Sequence, residues 1–321
     1  MIQEYQYIYE IYKERSFTKA ARNLFISQPS LSASVKKIES QLGYKIFDRS
    51  SSKLALTQEG KYYIDAAIKI LSAEADLKAS IEDLAHMDTG SLIISGATLF
   101  STCVFPFIIK SFSALYPKIS VNFYEADSVL LYDKALKANV DLIIDAGKYD
   151  HEYFETQSLF EENILLAIPC NASFPLSPAL AEAGLTAEDV MHQKHLEEDC
   201  PCVSPGQFSD YPFMLLEEGH DMHDRALSIF DEAGITPLCN IYLNQLMTAF
   251  HMAAKGLGCT FVTDTLVKYS YSNAPLTYFK LKTENPDLTH REVFVAYRKS
   301  CHLTHAMRKF IEISQQPDIY V

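Results

Sequence analysis

The stretch that decides the fold is SFTKAARNLFISQPSLSASVKKIESQLGYKIFDR, residues 16–49. Its periodicity predicts two short helices joined by a tight turn. Thr18 is placed to cap the first helix and Ser27 the second, and Pro29 falls in the first turn of the second helix, where a missing N–H costs nothing. One stripe of this second helix is apolar, with its members at helical spacing: Leu31, Val35, Ile38 and Leu42.

The opposite face of the predicted second helix is small, polar and basic. It carries Pro29, Ala33, Lys36, Lys37 and Ser40, with Ser30 and Ser32 beside them. A helix-turn-helix lays its second helix in the DNA major groove, with the N-terminal residues nearest the base edges. Small residues early in the helix and lysines later suit that approach. The alternative is an ordinary helical hairpin whose outer face is only solvated.

A spaced pattern through this stretch resembles the N-terminal signature of the LysR-type transcriptional regulators. It reads AA-x-x-L-x-x-SQPSLS-x-x-V-x-x-IE-x-x-LG-x-x-IF-x-R and runs from Ala20 to Arg49. The resemblance implies a bacterial regulator with a winged helix-turn-helix over residues 1–57, bound to double-stranded operator DNA. The family positions that face bases are matched by Gln28, Pro29, Ser30 and Ser32. Ala33 and Ser34 follow where members often carry Arg or Gln, so fewer hydrogen bonds to bases are expected.

A β-hairpin, the wing, is predicted directly after the two helices. Residues 45–49 and 54–56 form its strands, and the serine-rich turn between Arg49 and Lys53 suits contact with the phosphate backbone. By resemblance, Arg49 matches a backbone-contacting wing residue. The full set expected to contact DNA is Thr18, Ser27, Gln28, Pro29, Ser30, Ser32, Ala33, Lys36, Lys37, Arg49, Ser50, Ser51 and Lys53.

Charge is segregated along the chain. Residues 13–61 hold ten Lys and Arg against four acids, a net charge of +6, whereas residues 62–321 hold 18 against 35, a net charge of −17. The positive charge therefore lies where phosphate contacts are expected, and the acidic remainder would repel DNA. This distribution favours a small DNA-binding head on a larger body with another task.

A long helix is predicted after the hairpin, over residues 58–87, with Thr57 as its cap. Its apolar stripe is narrow and recurs every three or four residues: Ala66, Ile70, Ala73, Leu77, Ile81 and Leu84. A stripe on a connector of this length, residues 58–89, is buried most simply against a second copy of itself. The alternative is a helix packed on its own domain. The family resemblance implies pairing through such a helix, as a homodimer and as a tetramer built from two dimers.

From residue 90 onward the chain alternates short apolar runs with helical patterns, which predicts an α/β domain with a mainly parallel sheet. A helix is expected over residues 98–116 and another over residues 129–138, while residues 171–211 give no clear order. Two lobes are expected, one from residues 90–162 and 265–321, the other from residues 163–264. This region resembles the effector-binding part of the family, which is of the periplasmic-binding-protein type.

Ligands of open α/β sheets bind beyond the carboxyl ends of strands, at helix N-termini. Hydroxyls and backbone N–H groups converging on one cleft would suit an organic anion, in particular a small carboxylate. For each residue the alternative role is an ordinary helix cap. The expected effector-binding residues are Thr98, Ser101, Thr102, Asp127, Ser128, Gly219, His220, Asp221, Asn244, Gln245 and Thr263.

Other function classes find little support in the sequence. No catalytic or phosphate-loop motif is present, so neither an enzyme nor a cofactor is expected. His192, His195, Cys200 and Cys202 lack the usual zinc spacing, so no metal site is expected. Without a signal peptide or a membrane-length apolar run, and with seven scattered cysteines, the chain is expected to be cytoplasmic with reduced thiols. The remaining alternative is a solute-binding or catalytic α/β protein whose N-terminal helices mediate only protein contacts.

Overall fold

Residues 2–48, 54–85, 89–125, 140–270, 274–316 and 319 are described by the structure, a computed structural model. They belong to two units, the first made mainly of Met1–Met87 and the second of most of the remaining chain. Within the described ranges, no helix is both long enough and apolar enough to cross a bilayer.

The first unit has the helices and the hairpin that the sequence predicts. Its described elements are α1 Ile2–Glu14, α2 Phe17–Asn23, α3 Gln28–Leu42, β1 Phe47–Asp48, β2 Ala55–Leu56 and α4 Gln58–Ala85. The two strands are antiparallel, with Phe47 opposite Leu56. The helix-turn-helix, the hairpin that follows it and the long connecting helix are therefore confirmed.

Both helices of the decisive stretch are capped by serine. Ser27 accepts a hydrogen bond from the backbone N–H of Ser30 at 3.2 Å, which confirms its predicted role in α3. The predicted cap of α2 is wrong, because Ser16, not Thr18, accepts from a backbone N–H of the first turn. Ser16 has an extended backbone, so the helix begins at Phe17 and Thr18 falls inside it.

The core of the first unit lies between the three short helices, the hairpin and the start of α4. From α3 it receives Leu31, Val35 and Ile38, as predicted, but Leu42 at the end of that helix is 37% exposed. The buried apolar residues are Ile8, Ile11, Ala20, Ala21, Leu31, Val35, Ile38, Ile46, Phe47 and Ile64.

Two contacts fix the hairpin against the helices. Glu39 is buried, and its Oε1 accepts hydrogen bonds from the backbone N–H groups of Ile46 at 2.9 Å and Phe47 at 3.3 Å. Gly60 lies against the backbone just before β1, where a Cβ on this residue would lie 2.1 Å from the carbonyl oxygen of Ile46. The N–H of Gly60 donates to Thr57 Oγ1 at 2.9 Å, so the predicted cap of α4 is confirmed.

Apolar side chains of the long helix α4 are buried near its start and exposed further along. Ile64 and Ala67 near its start are buried in the first unit. Further along, Leu77 is 61% and Ile81 is 58% exposed, and Ala73 between these ends is exposed as well. The apolar stripe predicted from the sequence is thus left uncovered at Ala73, Leu77 and Ile81.

The second unit alternates strands and helices. Its described elements are β3 Gly90–Gly96, α5 Thr98–Cys103, α6 Phe105–Leu115, β4 Ile119–Glu125, β5 Leu142–Asp145, β6 Phe154–Pro169, α7 Pro178–Ala183, α8 Ala187–Met191, β7 Cys202–Val203, β8 Pro212–Leu216, α9 Asp221–Glu232, β9 Leu238–Leu243, α10 Leu246–Ala254, β10 Thr260–Thr263, α11 Asp264–Tyr269, β11 Leu276–Leu281, β12 His290–Arg298 and α12 His305–Ser314. Short 3₁₀ turns lie at Lys194–Leu196, Pro205–Phe208 and Pro286–Leu288.

The strand β6, 16 residues long, is shared by two groups of strands. Its first part pairs with β12, from Phe154 opposite Arg298 to Asn163 opposite His290. From Ile164 onward it pairs instead with β10 and β11. The change of partner divides the strand close to the position at which the sequence predicts the boundary between two lobes.

The sheet is mixed, and the prediction of a mainly parallel sheet is wrong. Its order is β4-β3-β5-β12-β6-β11-β7, with β10 also on β6. β3 runs parallel to β4 and β5, but β12 is antiparallel to both β5 and β6, and so are β10 and β11 to β6. The strands next to β6 come from distant parts of the chain, so no single crossover helix sets their direction. β8 and β9 form a separate parallel pair.

Several predicted boundaries differ from the structure. The helix expected over residues 98–116 is two helices that meet at Val104, because Pro106 cannot donate a hydrogen bond inside a continuous helix. The strand β11, the helix α11 and the first half of β6 were not predicted. Residues 171–211, which gave no clear order, hold α7, α8, β7 and two 3₁₀ turns.

Some predictions fall on residues that the structure does not describe. These are the helix expected over residues 129–138, the DNA-contacting residues Arg49, Ser50, Ser51 and Lys53, and the effector-binding residues Asp127 and Ser128.

Candidate functional site

The outer face of α3 is accessible along its whole length. Gln28, Pro29 and Ser30 are exposed at its N-terminus, and Ser32 is half-buried. Ala33 and the two lysines, Lys36 and Lys37, follow on the same exposed side. Because the core takes the opposite stripe, this face can approach a partner without disturbing the fold.

Glu39 positions the hairpin next to that face, a role that the sequence reading missed. Its carboxylate also lies 3.5 Å from Lys45 Nζ. A buried carboxylate is stable only when hydrogen-bonded or paired, and here two backbone N–H groups and one lysine fulfil that need. The signal in the sequence was an acid placed directly after Ile38 on the core side of α3, within the IE pair of the motif.

The sequence predicts that the hydroxyls of α5 are available as hydrogen-bond donors to a ligand. In the structure they have partners within the chain instead. Thr98 Oγ1 bonds the carboxylate of Glu125. Ser101 Oγ donates to the carbonyl oxygen of Ala97 at 2.9 Å, and Thr102 Oγ1 donates to that of Thr98 at 2.8 Å. What these hydroxyls present to a ligand is therefore chiefly their oxygen lone pairs.

Three residues expected to bind the effector lie at the start of α9, where Asp221 makes its contacts within the second unit. Gly219 has φ +95°, a conformation in which a side chain would be strained, and His220 precedes the helix without a side-chain capping bond. Asp221 accepts a hydrogen bond from Arg225 Nε at 2.7 Å and lies 3.4 Å from a guanidinium nitrogen of Arg291. Asp221 is thus an ion-pair partner.

The remaining predicted effector residues divide into exposed and buried positions. Asn244 and Gln245 are exposed at the start of α10, and Gln245 makes no side-chain capping bond. Thr263 is fully buried, and its Oγ1 caps α11 by accepting from the N–H of Leu266 at 3.2 Å. Thr263 is therefore a helix cap, the alternative role considered from the sequence.

Among these elements, α5 packs against both α10 and α11. The structure therefore brings Thr98, Ser101 and Thr102 onto an element that touches the helices carrying Gln245 and Thr263. The start of α9 is instead tied to β12 through arginine side chains.

A buried ion-pair network, which the sequence did not predict, links three elements: β6, α9 and β12. Arg291 Nε donates to Glu162 Oε2 at 2.7 Å, with side chains 8% and 0% exposed. Arg225, besides holding Asp221, donates to the carbonyl oxygen of His290 at 2.9 Å. Glu162 Oε1 has no hydrogen-bond partner within the described part of the chain.

Neighbouring carboxylates keep the guanidinium of Arg291 charged. Burial by itself would lower the pKa of its guanidinium, but the carboxylates of Glu162 and Asp221 outweigh burial, and the pKa lies above its ordinary value. The guanidinium thus stays charged inside the unit. No short-range sequence signal could have found it, since Arg291 and Glu162 are 129 positions apart.

Among the residues weighed for a metal site, His195 has another partner. Buried His195 places Nε2 3.0 Å from Asp264 Oδ2. Asp264 also accepts from the backbone N–H of Asn163 at 2.9 Å and from its side-chain amide at 2.7 Å. The described residues contain no cluster of three or more His, Cys, Asp or Glu that could hold a metal ion.

Comparison with known proteins agrees with this architecture. Residues 2–61 match the family model of the "Bacterial regulatory helix-turn-helix protein, lysR family", and residues 85–317 match the "LysR substrate binding domain". The uncharacterized HTH-type transcriptional regulator YcgK of Bacillus subtilis (strain 168) is 32% identical over 258 residues, 79% of this chain and 77% of that protein. The DNA-binding transcriptional dual regulator OxyR of Escherichia coli (strain K12) is 26% identical, over 81% of this chain and 77% of that protein.

Solved structures share the fold. A full-length OxyR variant from Pseudomonas aeruginosa superposes with a TM-score of 0.67 at 24% identity, covering 100% of this chain and 99% of that one. Full-length CbnR complexed with its target DNA gives a TM-score of 0.61 at 15% identity, covering 98% and 99%.

A winged helix-turn-helix head joined to an α/β domain of the periplasmic-binding-protein type defines a transcriptional regulator rather than an enzyme. The chain belongs to the LysR family of transcriptional regulators. It accordingly has a DNA-binding and an effector-binding domain. Members of the family bind operator DNA and small-molecule effectors and form oligomers.

The buried ion pair yields a stability prediction. Arg291→Met should lower the free energy of unfolding by about 3–5 kcal/mol, because Glu162 then stays buried without its counter-charge. Replacing both Glu162 and Arg291 by Met should recover most of the loss. Urea unfolding followed by far-ultraviolet circular dichroism measures both, since the chain has no Trp. Lys309→Ala, at an exposed ion pair with Glu312, is the control and should change little. A loss below about 1 kcal/mol in Arg291→Met would contradict the prediction.

Proposed function

We propose that this regulator binds its operator as a dimer, or as a tetramer of paired dimers, through α3 and the hairpin of each head. The observation that carries the proposal is the division of α3 into a buried apolar stripe and an exposed small, polar and basic face. We propose that Gln28 and the serines beside it contact bases and that Lys36 and Lys37 contact phosphates. Arg49 and Lys53 of the hairpin tip complete the proposed contact set.

Two variants test this placement of α3 on a duplex that the full-length protein selects from a random pool. Gln28→Ala should bind with a relaxed sequence preference, since it removes a side chain at the base edges. Lys36→Ala should weaken binding to all sequences alike and lower the salt slope by about one, because one phosphate contact is lost. Fluorescence anisotropy titrations over a salt series measure both effects. An unchanged preference in Gln28→Ala would refute the proposed placement.

We propose that pairing occurs through the apolar stripe of α4, which we define as half-buried Ile70 and the exposed Ala66, Ala73, Leu77 and Ile81. Leu77 and Ile81 are more than half exposed in the single chain, and large apolar side chains at helical spacing are stabilised when a second helix covers them. Pairing also gives each operator two heads, which offsets the scarcity of long hydrogen-bonding side chains on α3.

Leu77→Asp should therefore shift the full-length protein toward a monomer and weaken operator binding by at least tenfold, because a charge replaces a buried apolar contact. The matched control is Ala75→Asp, an exposed position outside the stripe on the same helix. Light scattering after gel filtration gives the mass, and anisotropy gives the affinity. If both variants stay dimeric, the pairing face lies elsewhere.

We propose that the effector is a small organic acid that also carries a hydroxyl or amino group, bound between the lobes near α5 and the start of α10. Free N–H groups of the first turn of α10, beside exposed Gln245, suit a carboxylate. The Glu125 carboxylate and the hydroxyl oxygens of Thr98 and Thr102 suit a hydrogen-bond donor on the same molecule. The two ends of the ligand would thus meet complementary groups.

Relatives of this chain include proteins described as hydrogen peroxide-inducible genes activators. A peroxide-reactive thiol needs a lowered pKa. In this chain burial raises the pKa of the Cys103 and Cys200 thiols, and raises that of Cys259 to about 12. Burial therefore disfavours a peroxide-reactive thiolate at these three cysteines.

A melting-temperature screen of the full-length protein tests the effector class, since a ligand of the folded state must stabilise it. Small hydroxy acids and amino acids should raise the melting temperature more than plain carboxylates or plain amines of similar size. In Glu125→Gln the advantage of the amino acids should shrink, because the charge facing the amino group is removed. Equal stabilisation by plain amines and amino acids would contradict the proposed role of the carboxylate.

A further inference from the structure

The turn between α2 and α3 has a backbone that favours glycine but carries a phenylalanine. The N–H of Phe25 donates to the carbonyl oxygen of Arg22 at 3.1 Å, and the N–H of Ile26 donates to that of Ala21 at 3.0 Å. This pair of bonds is the Schellman motif, in which the residue after the helix cap adopts a left-handed conformation. Phe25 has φ +55°. A side chain with a Cβ is strained there, and Gly or Asn usually fills the position.

The ring of Phe25 contributes nothing to the core that could offset this strain. It is 95% exposed, the highest exposure of the large apolar residues in the described part of the chain. Its neighbours Leu24 and Ile26 pack against the core of the first unit instead. Phe25 thus combines a strained backbone with an unburied apolar surface, and folding explains neither. A contact outside the chain would explain both.

The position of Phe25 indicates where that contact lies. Ser27 is the N-cap of α3, and Gln28 and Pro29 form its first turn. Phe25 precedes this N-terminus by two residues, and Ser27, Gln28 and Pro29 are exposed as it is. The N-terminal end of a recognition helix is the part nearest the base edges. If α3 enters the major groove as proposed above, the ring reaches DNA beside the first bases that are read.

We propose that Phe25 packs against the C5-methyl group of a thymine in each operator half-site and so selects thymine at that position. In the major groove the C5-methyl of thymine is the apolar group on the base edges, whereas the other edges offer hydrogen-bond donors and acceptors. An aromatic ring without a polar atom has no other complementary partner there. This apolar reading adds to the hydrogen bonds of Gln28 on a helix with few long polar side chains. The inference rests on the proposed function of α3.

Deoxyuridine substitution tests the contact, because it removes only the methyl group. On the duplex selected by the full-length protein, each thymine is replaced in turn and binding is measured by fluorescence anisotropy. For the unaltered protein we expect about a four-fold loss of affinity at one thymine per half-site, as expected for the burial of one methyl group. Phe25→Asn should bind the thymine and deoxyuridine duplexes equally. Phe25→Leu, which keeps an apolar side chain, should retain part of the discrimination.

The melting temperature provides the second measurement. Phe25→Asn should melt at the same or a higher temperature than the unaltered protein, since Asn tolerates the left-handed conformation. Phe25→Gly, for which the same result is expected, provides a second variant with the strain removed. A loss of DNA affinity in a protein that is at least as stable assigns Phe25 to binding rather than to folding.

Three outcomes would overturn the proposal. One is a flat deoxyuridine profile in the unaltered protein. The second is that Phe25→Asn loses affinity by the same factor on every duplex, which would place the ring on the sugar-phosphate backbone. The third is that Phe25→Asn loses no affinity on any duplex, which would leave the ring to a protein partner. The Gln28→Ala result separates these from a failure of the proposed function. If Gln28→Ala relaxes the preference while the deoxyuridine profile is flat, α3 is placed correctly and only the Phe25 contact is wrong.

Discussion

The second unit depends on the buried ion pair between Glu162 and Arg291. Glu162 lies on β6 just before that strand changes partners, and Arg291 lies on β12, which pairs with the first part of β6. Through Asp221 the same guanidinium holds the start of α9, and Arg225 ties that helix to the chain entering β12. A buried pair of this kind adds little net stability but makes any other arrangement costly, because separation would leave charges buried and unpaired. It therefore fixes how α9 meets the sheet.

In the first unit, the corresponding constraint is the division of α3 between core and surface. Glu39, on the core side of α3, accepts a hydrogen bond from the backbone of Ile46 at the start of the hairpin, and Gly60 allows α4 to approach the same residue. None of these contacts involves the outer face of α3. The turn before α3 is divided in the same way, since Ile26 packs against the core while the ring of Phe25 is exposed.

Several of the residues expected to bind the effector have hydrogen-bond or ion-pair partners within the chain. The sequence placed hydroxyls and helix starts beyond strand ends, and α5 does pack against α10 and α11. Yet Thr98 bonds Glu125, Asp221 is held by two arginines and Thr263 caps α11 in the interior. Which partner a hydroxyl or carboxylate takes depends on groups far away in the chain, so the residue types alone could not decide between ligand contact and capping.

The sequence by itself determined the features that follow from local periodicity and from a spaced motif. The helix-turn-helix, the Ser27 cap, the long α4 with its narrow apolar stripe and the charge segregation all depend on residues within a few positions of one another. The tertiary structure alone decided the full length of β6, the mixed sheet and the Glu162–Arg291 pair. These arise from pairing and packing between segments far apart in the chain, such as β6 and β12. The periodicity of a segment does not identify such partners, because the local sequence pattern is the same whichever neighbour the segment pairs with.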